Sequence, residues 1–186
     1  VISHNLVGQD LYLLKLKADS PFQCQPGQFV MLQLPTEVFY FRRPFSVMTV
    51  DKDSAFEIFY KVVGVGTTMM ATLQTGDTVK CLGPLGNSFT PSQSPEKTLL
   101  VGGGIGIAPM ICLGQQLKKA GQPMPHCIYG VHSKAYIGLE DILIDTFGKE
   151  KVHISTDDGS YGFQGNVCDL ITSQPSLLEN CEQAMI

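Results

Sequence analysis

Three short stretches between Arg42 and Met110, RRPFSV, GVGTTM and VGGGIGIAPM, carry the most distinctive residue types of this 186-residue chain. None of them sets a nucleophile beside a base or gathers a set of metal ligands. Arg43 offers a planar guanidinium fork that can pair with a phosphate, and the Ser46 hydroxyl can donate or accept a hydrogen bond. Gly66, Thr67 and Thr68 open a short helical candidate, TTMMATL, whose leading N–H groups suit a diphosphate. Such segments are built to hold a reacting group rather than to react.

The third stretch places Gly104-x-Gly106-x-x-Pro109 directly after an apolar run, TLLV, and before a helical pattern. Glycines let the backbone approach a pyrophosphate closely, and the helix start supplies unpaired N–H groups and a favourable dipole. Proline stands where a dinucleotide fingerprint has glycine, and it suits the first helical turn because its missing N–H is no loss there. A tight strand-to-helix turn with nothing bound would read the same way, but the position inside a βαβ unit favours a nucleotide. Farther on, STDDGSYG follows a strand candidate. Ligands of doubly wound sheets lie outside the carboxyl ends of the strands, so Thr156, Asp157 and Asp158 could face a ribose. Carboxylates there accept hydrogen bonds from ribose hydroxyls and repel a 2′-phosphate, which favours NAD(H) over NADP(H). The bland alternative is an Asp-Asp-Gly turn that needs no ligand.

The elements that must position these residues change character along the chain. DLYLLKLKA, QFVMLQL, FSVMTV and AFEIFYKVV are rich in β-branched and aromatic residues, and in the last Phe56, Ile58, Tyr60 and Val62 alternate with Glu57, Phe59, Lys61 and Val63. Turns fall at Pro26-Gly27 and Gly76-Asp77. Short strands at close spacing predict a small antiparallel barrel. A polar segment, Thr90 to Lys97, reads as a linker. Beyond it, strand and helix alternate through APMICLGQQLKKAG, HCIYGV, GLEDILIDTF, VHIST and NVCDLIT, the pattern of a parallel sheet with crossover helices. Met110, Leu113 and Leu117 share one helical face. The expected class is β + α/β: an antiparallel β-barrel over residues 1–94, then a parallel-sheet nucleotide-binding domain over 95–186.

Composition narrows the partners. A hydrophobic content of 44% and a charged content of 16% are those of a globular protein, and a net charge of −4 gives no reason to expect nucleic acid. Six cysteines lie scattered without a CxxC, which points to reduced thiols in the cytoplasm and to no metal site within the chain. Cys112 and Cys127 read as buried thiols, Met69-Met70 as packing, and Leu117 to Lys119 as a solvated helix end. Lys134 reads as a solvated loop lysine. The four histidines show no mutual spacing and none is assigned to catalysis. No signal peptide opens the sequence, and TLLVGGGIGIAPMICLG is too short and glycine-rich for a membrane helix. The first residue is Val1, and the terminal CEQAMI resembles the start of a strand, so further sequence is expected at the ends.

Taken together, Arg43-Pro44-Phe45-Ser46 followed by Gly66-Thr67 resembles the flavin-binding RxxS and GxGT segments of the ferredoxin–NADP+ reductase superfamily. PGQF, GPLGNSF, VGGGIGIAP and TDDGSYGFQG narrow the resemblance to the electron-transfer subunits of the NAD-using class of dihydroorotate dehydrogenase, in the same order over essentially the whole chain. The resemblance implies that Arg43 binds the FAD diphosphate, and that Ser46 stands near flavin N5, the one catalytic position. Tyr60 and Lys61 then lie on the strand along the flavin, and Gly66, Thr67 and Thr68 hold the diphosphate. Gly83 to Phe89 forms a loop near the flavin–nicotinamide junction. Gly103, Gly104, Ile105, Gly106 and Pro109 seat the NAD diphosphate. Thr156-Asp157 stands where NADP-using relatives carry Ser-Arg. Family members continue into a Cys-Gly-Pro segment and a cysteine cluster holding a 2Fe–2S centre; the sequence stops at Ile186 before both. The implied function is electron transfer from NADH through FAD, and onward to a dehydrogenase catalytic subunit of pyrimidine biosynthesis. A reductase subunit of the sulfide dehydrogenase or transhydrogenase type, or a flavin-binding assembly subunit without enzyme activity, are the alternatives.

Overall fold

The computed structural model describes residues 1–34, 41–90 and 92–186. The first half is a six-stranded antiparallel sheet of β1 (Ser3–Gly8), β2 (Leu11–Lys17), β3 (Phe29–Gln33), β4 (Arg43–Val50), β5 (Ala55–Lys61) and β6 (Lys80–Leu85), with α1 (Val65–Met70) between the last two. The strand order is β1-β2-β5-β4-β3-β6, which curls into a barrel-like shape with β1 and β6 as edges. Strand β4 produces the curl: Arg43 to Ser46 pair with β3, whereas Val47 to Val50 pair with β5. One strand thus serves two neighbours and turns a corner at Ser46. Leu14, Leu32, Val47, Phe56, Ile58 and Tyr60 point into the barrel, and Met70 of α1 plugs it.

Strands β1 and β6 were not anticipated. Their sequences, SHNLVG and KCLGPL, are short and mixed, and β6 is almost wholly exposed, so neither carries an alternating pattern. The segment Gly83 to Phe89 spans the end of β6 and the turn after it. Phe89 N–H donates to Pro26 O at 2.8 Å, and Gln28 Nε2 donates to Gly86 O at 3.1 Å, so this segment packs on the Pro26-Gly27 turn. The linker expected over Thr90 to Lys97 includes Pro91, which lies outside the described residues; Pro95–Lys97 form a 3-10 turn.

The second half is a five-stranded parallel sheet: β7 (Thr98–Gly103), β8 (His126–Val131), β9 (Val152–Thr156), β10 (Phe163–Gln164) and β11 (Gln183–Met185). Its order is β10-β9-β8-β7-β11. The chain steps outward from β7 through β8 and β9 to β10 and then returns as β11 to the other side of β7, so the reversal lies beside the end of β7. Helices α2 (Ala108–Lys119) and α3 (Glu140–Phe147) cover one face, and α4 (Val167–Ser173) packs with Leu99, Val101 and Ile128 on the other. Met110, Leu113 and Leu117 are buried along one side of α2. The helix starts at a proline-containing first turn and ends at Lys118 and Lys119, which suit the dipole there.

The two sheets share a core. Leu11, Met48 and Phe59 from the barrel lie in the same apolar cluster as Met110, Ile111 and Leu113 of α2. Phe59 therefore breaks the alternation of β5: it is buried on the face that a free-standing barrel would leave wet. Burying a phenylalanine side chain contributes about 2–3 kcal/mol, so this contact fixes how the halves meet. Gln9 N–H adds a bond to Ala135 O at 2.8 Å across the junction. Burial pushes the Cys112 and Cys127 thiols up to about 12, as fits packed rather than reactive sulfur. No helix among the described residues is long and apolar enough to cross a membrane.

Two histidines that share no sequence spacing meet at the amino ends of β8 and β9. His126 Nδ1 lies 2.9 Å from His153 Nε2, and Lys151 Nζ lies 3.2 Å from His126 Nε2. An ammonium can only donate, so His126 Nε2 accepts, its proton sits on Nδ1, and His153 Nε2 accepts in turn. The chain of donors works only with both rings neutral. Burial first, then the Lys151 charge, holds both imidazoles below the usual histidine range, with Glu150 partly opposing at His126. The unfolded chain takes up these protons near pH 6.5 while the folded one resists, so the stabilisation is full above that pH and is lost as pH falls below it. Between pH 7.5 and 5.5, wild-type protein should lose about 2–4 °C of melting temperature relative to a His126→Asn, His153→Asn double variant. Parallel melting curves would rule the pair out as an acid-labile element.

Candidate functional site

Two clefts open side by side where the sheets meet. The first, of about 330 Å3, is walled by Arg43, Pro44, Phe45 and Ser46 from β4, by Phe59, Tyr60 and Lys61 from β5, and by Val63 and Thr67 from the approach to α1. Ile105 and Gly106 of the second half close it. The corner in β4 turns Ser46 into this cleft, half-buried. Arg43 lies across α1. A β carbon built on Gly66 would sit 2.7 Å from Arg43 Nη2 and closer still to Arg43 Cζ and Nε, so only glycine lets the arginine lie there. Arg43 Nη1 also donates to Phe41 O at 3.2 Å.

The turn into α1 is tied by its own threonines. Thr67 Oγ1 accepts from Val63 N–H at 2.9 Å and Gly64 N–H at 3.2 Å while donating to Gly64 O, and Thr68 Oγ1 donates to Gly64 O at 3.1 Å. Both hydroxyls are thus spent on the backbone. The first N–H groups of α1 have no acceptor within the helix, and the Arg43 guanidinium lies beside them. Tyr60 presents its ring. His4 Nδ1 meets Leu73 O at 2.9 Å, so His4 Nε2 accepts and the Tyr60 hydroxyl donates to it at 2.9 Å. Burial pushes the Tyr60 phenol well above its usual range, and nearby Tyr12 adds to the shift, so that hydroxyl stays protonated. Phe45 meets the Tyr60 ring edge-on at 6.0 Å, which makes an aromatic wall.

The second cleft, of about 300 Å3, lies outside the carboxyl ends of β7, β8 and β9. Gly103, Gly104 and Ile105 form one side, Gly130, Val131 and His132 the floor, and Asp157, Asn166 and Val167 the far side. Leu11 and Lys61 reach in from the barrel, beside Tyr136. The two clefts meet at Lys61 and Ile105, which line both. Lys61 Nζ sits 4.2 Å from the Tyr136 ring centroid, a cation–π contact across the junction.

The structure separates residues that the sequence grouped. Of Thr156, Asp157 and Asp158, Asp157 alone lines the second cleft. Thr156 is buried, its Oγ1 donating to Tyr161 O at 2.7 Å and accepting Tyr161 N–H at 3.1 Å. The Asp158 carboxylate accepts from Ser160 N–H at 2.9 Å and Ser160 Oγ at 2.6 Å, bonds that hold it below the usual carboxylate range. Both shape the loop that presents Asp157. Gly106 faces the first cleft rather than the second, and Gly66, Thr68 and Pro109 line neither. Lys134 is exposed and lines neither. Leu11, Phe59, Val63, His132, Tyr136, Asn166 and Val167 line the clefts without having been singled out. The rule that ligands sit past parallel strand ends would have found His132, one residue beyond β8. Nothing local marks Tyr136, which arrives through tertiary packing.

Comparison with known proteins gives this geometry a family. Residues 1–89 match the family model described as an oxidoreductase FAD-binding domain. The "Dihydroorotate dehydrogenase B (NAD(+)), electron transfer subunit" of Bacillus caldolyticus is 38% identical over 179 residues, covering 94% of this chain and 68% of that protein. The same-named subunit of Streptococcus mutans serotype c is 33% identical over 174 residues, covering 92% and 66%. Among solved structures, an NADH-dependent reduced ferredoxin–NADP oxidoreductase superposes with a TM-score of 0.75 at 29% identity, covering 94% of this chain and 62% of that one. Phthalate dioxygenase reductase shares the fold with a TM-score of 0.75 at 18% identity, over 100% of this chain and 66% of its own. The barrel with its parallel-sheet partner is thus the fold of flavin oxidoreductases, and the chain belongs to the family of NAD(+)-dependent dihydroorotate dehydrogenase B electron transfer subunits.

Proposed function

We propose that residues 1–94 bind FAD in the first cleft, that residues 95–186 bind NADH in the second, and that electrons pass from one to the other. The observation that carries this reading is the meeting of the clefts at Lys61 and Ile105, with an anion-seeking arginine in one and a ribose-seeking carboxylate in the other. The donors present fit the flavin cofactor: Arg43 and the first turn of α1 face its diphosphate, and Phe45 and Tyr60 offer an aromatic wall to its ring. Bound there, FAD supplies acceptance of a hydride and release of electrons one at a time. Ser46 offers its hydroxyl at the corner of β4 as the hydrogen-bonding group nearest the reacting edge. The backbone of Gly103 to Gly106, at the start leading into α2, receives the NADH diphosphate, with Pro109 starting the helix behind it. Asp157 accepts from the ribose hydroxyls, and Thr156 and Asp158 hold it in place.

The same reading gives the protein a catalytic dihydroorotate dehydrogenase partner in pyrimidine synthesis in the cytoplasm, reached through a 2Fe–2S centre ligated outside this sequence. The 29% likeness to a bifurcating ferredoxin–NADP oxidoreductase supports a second reading, a subunit of that reductase type. The experiment is an anaerobic titration of the flavin-loaded protein, followed by visible absorption. NADH should bleach the flavin bands at least about tenfold more efficiently than NADPH, the scale set by one charge–charge clash at a buried phosphate. A flavin spectrum indifferent to both nucleotides would leave a flavin carrier without hydride transfer.

A further inference from the structure

We propose that His132 is a second determinant of which dinucleotide the cleft accepts, acting by neutralising Asp157 when protonated; the proposal rests on the ribose-facing reading of Asp157. The two residues are placed together by the sheet. Val131 of β8 pairs with Thr156 of β9 in parallel register, so His132 and Asp157 are the next residues on adjacent strands. The ladder continues past the strand ends: Asp157 N–H donates to Val131 O at 3.1 Å, and Asp158 N–H donates to His132 O at 3.3 Å. In this frame His132 Nδ1 comes to 3.4 Å from Asp157 Oδ2, and both side chains line the nucleotide cleft.

A carboxylate alone in this position rejects a 2′-phosphate by repulsion and by leaving its own charge unpaired. An imidazolium beside it cancels that charge and adds a donor that a phosphate oxygen can accept. Histidine is the side chain that changes charge between pH 5 and 8, so the discrimination weakens on acidification. The charged and titratable groups facing His132 are Asp157, with Asp158 on the same loop, the Tyr136 ring at 6.3 Å, and Lys61 across the cleft. The Asp158 carboxylate is spent on Ser160, and Lys61 rests on Tyr136, so Asp157 is the partner whose charge His132 controls.

The test is calorimetric binding of ADP-ribose and 2′-phospho-ADP-ribose to the full chain at pH 8 and pH 6, which reads the cleft without a hydride step. In wild type the preference for the unphosphorylated ligand should shrink about three- to fivefold more on acidification than in His132→Gln, the scale of an exposed ion pair. Protonation of the 2′-phosphate itself occurs in both proteins and cancels from the comparison. His132→Lys, a fixed cation, should show already at pH 8 the weak preference that wild type reaches at pH 6. Equal pH slopes in wild type and His132→Gln would overturn the proposal. Asp157→Asn separates it from the reading beneath: it should abolish the preference at both pH values, and a wild-type preference in that variant would sink the ribose role of Asp157 itself.

Discussion

Replacing Gly66 by alanine is expected to yield a folded protein that no longer keeps its flavin. Gly66 is buried in the first turn of α1, and its backbone is not in the left-handed region, so alanine is conformationally acceptable there. In a helix interior alanine is favoured over glycine by about 1 kcal/mol. The obstacle is the Arg43 guanidinium, whose Nη2 would lie 2.7 Å from the new methyl carbon. The arginine must swing away, because the nearest contacts of that carbon are all atoms of its flexible side chain. A hydrogen bond to a charged group is worth about 1.5–3 kcal/mol, so flavin affinity should drop on the order of 10- to 100-fold. The flavin-to-protein absorbance ratio after desalting reads this directly, and a urea melt at unchanged or higher midpoint shows that the fold survived. Stoichiometric flavin in Gly66→Ala would remove Arg43 from the binding reading, since a displaced arginine would then have proved dispensable.

That result would trace to a pairing the sequence half-announces. The RPFS and GVGTT segments are legible as separate motifs, and the four strongest strands of the barrel are legible from their apolar runs. What a linear reading cannot show is that Gly66 exists for Arg43, because the two are joined only by the curl of β4 against the start of α1. Edge strands β1 and β6 were invisible for a related reason. With one side unpaired and little side-chain burial, they need no alternating pattern, and KCLGPL carries a glycine and a proline.

The second half was more legible because a parallel sheet covered on both faces demands near-continuous apolar strands and amphipathic helices. TLLVGG and HCIYGV became β7 and β8, and GLEDILIDTF contained α3. Limits appeared wherever function depended on meetings between elements. Phe59 looked like the wet face of a half-buried strand and is instead part of the core shared with α2. His126 and His153 are 27 residues apart and touch only because β8 and β9 are neighbours in parallel register. Thr156, Asp157 and Asp158 read as three equivalent candidates. The Tyr161 and Ser160 contacts, set by the loop's own turn, leave Asp157 facing the cleft.

Gly102→Ala should have the complementary effect, keeping the flavin while losing the nucleotide. Gly102 lies in β7 opposite Tyr129 of β8, and the chain that leaves it loops back so that Ile107 packs on top. A β carbon at Gly102 would sit 2.6 Å from Ile107 Cα and 2.9 Å from Ile107 N, so the clash is with backbone. Ile107 is fully buried and cannot retreat without moving Gly103 to Gly106, the turn that lines both clefts. Overpacking of this kind costs about 1–3 kcal/mol of stability, and displacing a binding loop by about 1 Å can slow a reaction on the order of 100-fold. Anaerobic flavin reduction by NADH should therefore slow by about that factor, at near-normal flavin content because Arg43 and α1 are untouched. Equal loss of flavin in this variant would mean that the second half helps hold the flavin through Ile105 and Gly106. Unimpaired reduction by NADH would mean that the turn after β7 does not seat the nucleotide.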